Sequence, residues 1–244
     1  MVTAKPWRLD STLRLVLGLF VSFFCGLFIV TVARLIWKEE FVEKYMINII
    51  IASVAFQGMG LVLIARFLRQ HQVGWQEAFG FGNELGWAIV LGLCVGVIVM
   101  PTMHWLQWVW VETLTRMHIS VEEQEAVKLL RENHSPFQLI YMILVAVVFA
   151  PLTEEMFFRG ILYPFIKQRG YPQAALWGTA LLFALAHGNV AVFLPLLFLA
   201  VTLALLYEWT NNLLACILVH AVFNAANFLL LFLPVLTEKL PAHP

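Results

Sequence analysis

Residues 13–37, LRLVLGLFVSFFCGLFIVTVARLIW, form the first of several apolar runs that leave this chain few ways to fold. A bilayer crossing takes about 20 mostly apolar residues. Windows of that kind fall at 13–37, 45–68, 86–110, 137–167, 172–187, 190–208 and 212–233. The fold class expected is therefore all-α, a polytopic membrane bundle of about seven transmembrane helices. The fifth window has only 16 residues and ends in AHGN, where Gly188 and Asn189 favour a helix C-terminus, so the count is held at six to eight.

Composition agrees: 61% of the 244 residues are apolar and 12% charged, with a mean hydropathy of +0.85. Soluble domains run at roughly half apolar and a quarter charged. The basic start, with Lys5, Arg8 and Arg14, looks like the head of a signal peptide, but the apolar run behind it is too long and reads as an uncleaved first span. Fifteen basic and fifteen acidic residues cancel without a block of one sign, which argues against a nucleic-acid partner. Cys25, Cys94 and Cys216 lie in apolar runs with no CxxC spacing, which argues against a thiolate metal site. Lys and Arg number eight on the N-terminal side of the alternating spans and seven on the other, a small bias toward a cytoplasmic N-terminus. No internal repeat or linker breaks the chain. One structural domain is expected, with residues 1–136 supplying three spans and a polar surface helix near 120–135, and residues 137–244 supplying a core of four helices.

Charge inside the fourth span is the feature that demands a function. FAPLTEEMFFRG places Glu154, Glu155 and Arg159 at bilayer depth, where each ionisable group costs at least about 2.5–3.5 kcal/mol on insertion scales. Glu155 and Arg159, four residues apart, make an ordinary helical ion pair. Glu154 is rotated by about 100° from Glu155 and needs another partner. Two further spans carry histidines: FALAH ends in His187, and HAVFN joins His220 to Asn224 one turn later. A lone histidine in an apolar helix is usually a packing residue, and His104 is assigned to that class. Depth separates the others from it. Glu155 and His187 each lie 16 residues from Tyr171 at the centre of the RGYPQ turn, about 24 Å along their helices. Asn224 and His220 lie about 20 and 14 Å from the next turn on the same side. Two carboxylates, two histidines and an amide in one layer suit acid–base chemistry.

In chain order, EEMFFR fits EExxxR, FALAH fits FxxxH and HAVFN fits HxxxN, and the set resembles the CPBP intramembrane peptidases. That family includes the CAAX prenyl endopeptidases and the Abi-type bacteriocin-processing and self-immunity proteins. The resemblance covers residues 137–233 and leaves the subfamily open. It implies that Glu154 is the general base on a water with His187 as its partner, that His220 and Asn224 donate to the oxyanion, and that Glu155 and Arg159 support Glu154. A desolvated carboxylate is a stronger base than one in water, and fixed donors stabilise developing negative charge.

The implied function is an intramembrane endopeptidase acting on a membrane-associated protein or peptide, in a multi-pass protein of the cell membrane, with no cofactor. Three rivals remain. Glu154, His187 and His220 form a Glu/His/His set suited to zinc, although HExxH is absent. A proton-coupled transporter uses similar groups, but paired half-helices and internal duplication are missing. A non-catalytic protein that binds a membrane partner keeps the same buried site. The substrate, whether a CaaX tail or a bacteriocin- or signal-peptide-like segment, and the oligomeric state stay open. The GxxxG from Gly92 to Gly96 serves packing within or between chains equally well.

Overall fold

The computed structural model describes residues 2–36, 43–82, 84–120 and 136–239, all helix and connecting turns among the described residues. The polar segment expected as a surface helix near 120–135 lies mostly outside them. The helices are α1 (Leu9–Ile36), α2 (Met46–His71), the short α3 (Trp75–Phe79), α4 (Leu85–Arg116), α5 (Pro136–Lys167), α6 (Ala174–Ala186), α7 (Val190–Thr210) and α8 (Leu213–Lys239). Six are long and apolar enough to cross a membrane, and the expected fifth span is the shorter apolar helix α6. In hydrocarbon every backbone N–H and C=O must be paired internally, and helices of this length meet that need. The chain is a multi-pass membrane helix bundle.

Half of the α7 window is buried, against 17% for α1, α2, α4 and α5, so α7 runs through the middle and the others turn much of their surface to lipid. The α4–α8 contact explains the GxxxG. A Cβ on Gly92 would meet Ala215 O at 2.9 Å and one on Gly96 would meet Val222 Cβ at 2.9 Å, so the two glycines seat α8 inside the chain.

The N-terminus, the α2–α4 connection, the α5–α6 turn and the α7–α8 turn gather at one end. Thr3 N donates to Asn211 Oδ1 at 3.0 Å, Lys5 Nζ donates to Glu77 O at 3.0 Å, and Arg169 Nη2 donates to Trp7 O at 3.4 Å. Gly80, at φ +73°, lies so near Asn211 that a Cβ would stand 2.0 Å from its carbonyl oxygen; no other residue type fits that crossing.

Helix α5 alternates between α and π winding. Leu144–Phe149 and Met156–Leu162 are π segments, and each is followed by a proline, Pro151 and Pro164, in the first turn of the next α segment. Wide turns of this kind leave carbonyls that other helices can reach. In α2, Val54–Gly58 is likewise π-wound. Side chains from neighbouring elements fill the gaps: Ser22 donates to Ala55 O, Thr153 Oγ1 to Gln57 O at 3.5 Å, Asn224 Nδ2 to Ala146 O at 2.8 Å and Trp7 Nε1 to Gly160 O at 3.2 Å.

Candidate active site

Glu154 and Glu155 sit on the short α-wound stretch Ala150–Glu155, between the two π segments of α5. Glu155 is fully buried and Arg159 is 1% exposed. Arg159 Nη1 donates to Glu155 Oε1 at 2.8 Å, and its Nη2 donates across to Ala200 O on α7 at 3.2 Å. The Phe183 ring of α6 lies 4.5 Å from the guanidinium carbon, so the cation is held between a carboxylate, a carbonyl and an aromatic face.

The ion pair has a third member. His220 Nδ1 lies 2.8 Å from Glu155 Oε1, while its Nε2 lies 3.9 Å from Glu154 Oε2. Glu155 is the carboxylate partner of Arg159, so Nδ1 carries the proton and donates, which turns Nε2 toward Glu154. Glu154 is partly exposed, yet its Oε2 is buried and has no hydrogen-bond partner, and the same holds for Glu155 Oε2. An unpaired carboxylate oxygen beside a histidine nitrogen is an open acceptor for water or substrate.

His187 is placed differently. It is the C-terminal cap of α6 and is exposed, with Nδ1 donating to Phe183 O at 2.8 Å and Nε2 left as an acceptor. The Phe183 ring packs against both histidines, its centroid 4.9 Å from that of His187 and 5.7 Å from that of His220. The structure therefore sets His220 Nε2 3.9 Å from Glu154 Oε2 and packs His187 against the Phe183 ring. Asn224 Nδ2 gives one proton to Ala146 O, which keeps its second N–H for another acceptor. His104 is exposed, with Nδ1 donating to Met100 O at 2.9 Å. Among the described residues, no three His, Cys, Asp or Glu side chains come together in a ligand set.

Sequence reasoning missed several groups: Gln57 and Thr153, and the carbonyls of Ala146, Gly160 and Ala200. The prolines after each π segment were the available signal for Ala146 and Gly160, because a proline removes an N–H from the helix ladder. Nothing in the local pattern marks Ala200.

The family model of the Type II CAAX prenyl endopeptidase Rce1-like proteins matches residues 136–226. This segment is similar to that family. No curated protein and no solved structure matches the chain. The matched segment runs from α5 into α8 and carries Glu154, Glu155, Arg159, His187, His220 and Asn224. The match supports a CAAX-type membrane endopeptidase, a hydrolase of peptide bonds with a peptide or protein substrate at the bilayer.

Proposed function

We propose that the chain is a glutamate-dependent intramembrane endopeptidase of the cell membrane that cuts a peptide bond in a membrane-associated protein or peptide. The substrate class is a prenylated CaaX-type tail or a bacteriocin- or signal-peptide-like segment. The observation that carries the proposal is the Glu155–His220–Glu154 arrangement inside the matched segment: Glu155 Oε1 accepts from both Arg159 and His220, while Glu154 has no such ties and keeps an unpaired oxygen beside His220 Nε2.

In the proposed reaction, Glu154 accepts a proton from water as the water oxygen bonds to the scissile carbonyl carbon. The carbonyl π pair moves onto oxygen, where the free N–H of Asn224 stabilises it, joined by His220 Nε2 when the imidazole takes up a second proton from water. Collapse of this intermediate breaks the C–N bond, and the proton held by Glu154 passes to the leaving amine. His187, with Nε2 open, assists Glu154 through water. Residues 137–244 form the catalytic core, and residues 1–136 brace it.

The test is cleavage of a fluorogenic peptide library, with prenylated and unprenylated tails, by detergent-purified wild type and Glu154→Gln, with and without a strong chelator. Loss in the mutant with resistance to chelator is the expected result. Loss on chelation, restored by zinc, replaces the mechanism with a metal-dependent one built on Glu154, His187 and His220. Wild-type activity in Glu154→Gln removes Glu154 as the base.

A further inference from the structure

Helix α2 lays a polar residue, absent from the charged motifs and the family match alike, against the helix turn that bears Glu154. Gln57 lies in the π segment Val54–Gly58, and its Oε1 is buried without a hydrogen-bond partner. Its position against Glu154 is fixed through the adjoining residue. Thr153 Oγ1 donates to Gln57 O at 3.5 Å, and a Cβ on Gly60 would stand 2.7 Å from Thr153 Cγ2, so the α2 backbone lies directly on the turn that carries Glu154. Gln57 Oε1 and Glu154 Oε2 are buried, unpaired acceptors on the residues at and beside this contact. Acceptors in an apolar bundle need a donor, and a water molecule supplies two O–H groups.

We propose that Gln57 is a positioning residue for the hydrolytic water: its Oε1 accepts one O–H while Glu154 accepts the other. This inference rests on the proposed hydrolytic function. The division of labour follows from the acceptors. A carboxylate takes up a proton and a neutral amide oxygen does not, so only the proton facing Glu154 leaves as the water oxygen attacks the carbonyl carbon. The O–H on Gln57 stays with the oxygen and holds its lone pair toward the substrate. The π turn serves this role by carrying Gln57 out of regular α register, with Thr153 closing the carbonyl that the wide turn leaves open.

The test compares Gln57→Leu and Gln57→Glu with wild type and Glu154→Gln by steady-state kinetics, pH profile and detergent melting temperature. Gln57→Leu is expected to lower kcat about 100-fold with KM changed less than about threefold, the effect of a misplaced reactant. Gln57→Glu keeps the acceptor and is expected to recover most of kcat, with the acid limb of its kcat–pH profile displaced, because neighbouring carboxylates titrate as a pair. The charged groups already there are Glu154, Glu155 and Arg159 on α5 and His220 on α8. A glutamine that packs away from Glu154 leaves the Gln57→Glu profile unmoved, and one that packs beside it without holding the water leaves kcat unchanged in Gln57→Leu. Wild-type kcat in Gln57→Leu, or an unchanged profile in Gln57→Glu, overturns the proposal while loss of activity in Glu154→Gln leaves the hydrolytic function standing. If Gln57→Leu fails to fold, the Gln57→Glu profile decides. Full activity in Glu154→Gln overturns both.

Discussion

His220 Nδ1 stands 2.8 Å from Glu155 Oε1, and the same imidazole presents Nε2 3.9 Å from Oε2 of the adjacent Glu154. Glu155 already accepts from Arg159 at 2.8 Å, so α5 and α8 are joined by a buried trio of carboxylate, guanidinium and imidazole. The trio fixes the histidine's tautomer and leaves Glu154 free of structural duty.

Removing the cation tests the structural half of that division. Arg159→Ala strands Glu155 in a dry site, and breaking a buried pair in this way costs about 3–5 kcal/mol. Lower expression and a clearly lower melting temperature in detergent are expected, together with loss of cleavage. A variant that expresses and melts like wild type means that the pair does not hold the site together.

The two histidines are expected to separate in the same assay. His187 is exposed and bonds only to its own helix turn at Phe183 O, so His187→Ala is expected to melt within a degree or two of wild type while losing cleavage. His220 is 2% exposed and holds Glu155, so His220→Ala is expected to lose both activity and stability. Equal stability losses in the two variants contradict the placement of His187 at the edge of the site.

Trp7 offers a prediction far in sequence from the motifs. Its indole is 5% exposed and donates to Gly160 O, one residue beyond Arg159. Trp7→Phe keeps most of the packing and removes that bond, a loss of about 1 kcal/mol, whereas Trp7→Ala adds a cavity and costs about 3–5 kcal/mol. Melting curves of the two variants check the order. Equal losses mean that the hydrogen bond, not the packing, dominates.

How much of this was legible in the sequence depended on the scale of the signal. Apolar runs of span length are a property of the chain itself, and they located every long helix to within a few residues at most ends. The matched depths of Glu155, His187, His220 and Asn224 came from helix rise alone. Which groups touch was not legible, because it depends on rotation and on the π turns of α5. An ideal α-helix runs 3.6 residues per turn, and each π segment adds an offset that periodicity cannot anticipate. Hence the resemblance pairs Glu154 with His187, while the structure brings His220 Nε2 to 3.9 Å from Glu154 Oε2. Gln57 was missed for a similar reason: one amide in an apolar span carries no pattern.

The Asn224–Ala146 bond permits the sharpest test, because the sequence explains why the carbonyl is vacant. In the π register of α5, Ala150 N–H reaches back five residues to Val145 O, and the next N–H in that register would reach Ala146 O. Residue 151 is a proline and has none. Asn224 fills the place from α8 at 2.8 Å. Asn224→Ala is therefore expected to cost about 1–3 kcal/mol, the penalty of a buried acceptor left unpaired. Pro151→Ala supplies an N–H to the same carbonyl, so in the double variant the stability lost with Asn224 is expected to shrink to less than about 1 kcal/mol. Cleavage is not expected to return with it, because the second N–H of Asn224, the one assigned to the oxyanion, is absent in both variants. Equal costs of Asn224→Ala in the two backgrounds mean that Asn224 does not serve the carbonyl vacated by Pro151. Restored cleavage in the double variant removes Asn224 from the oxyanion site and leaves it a structural clamp between α8 and α5.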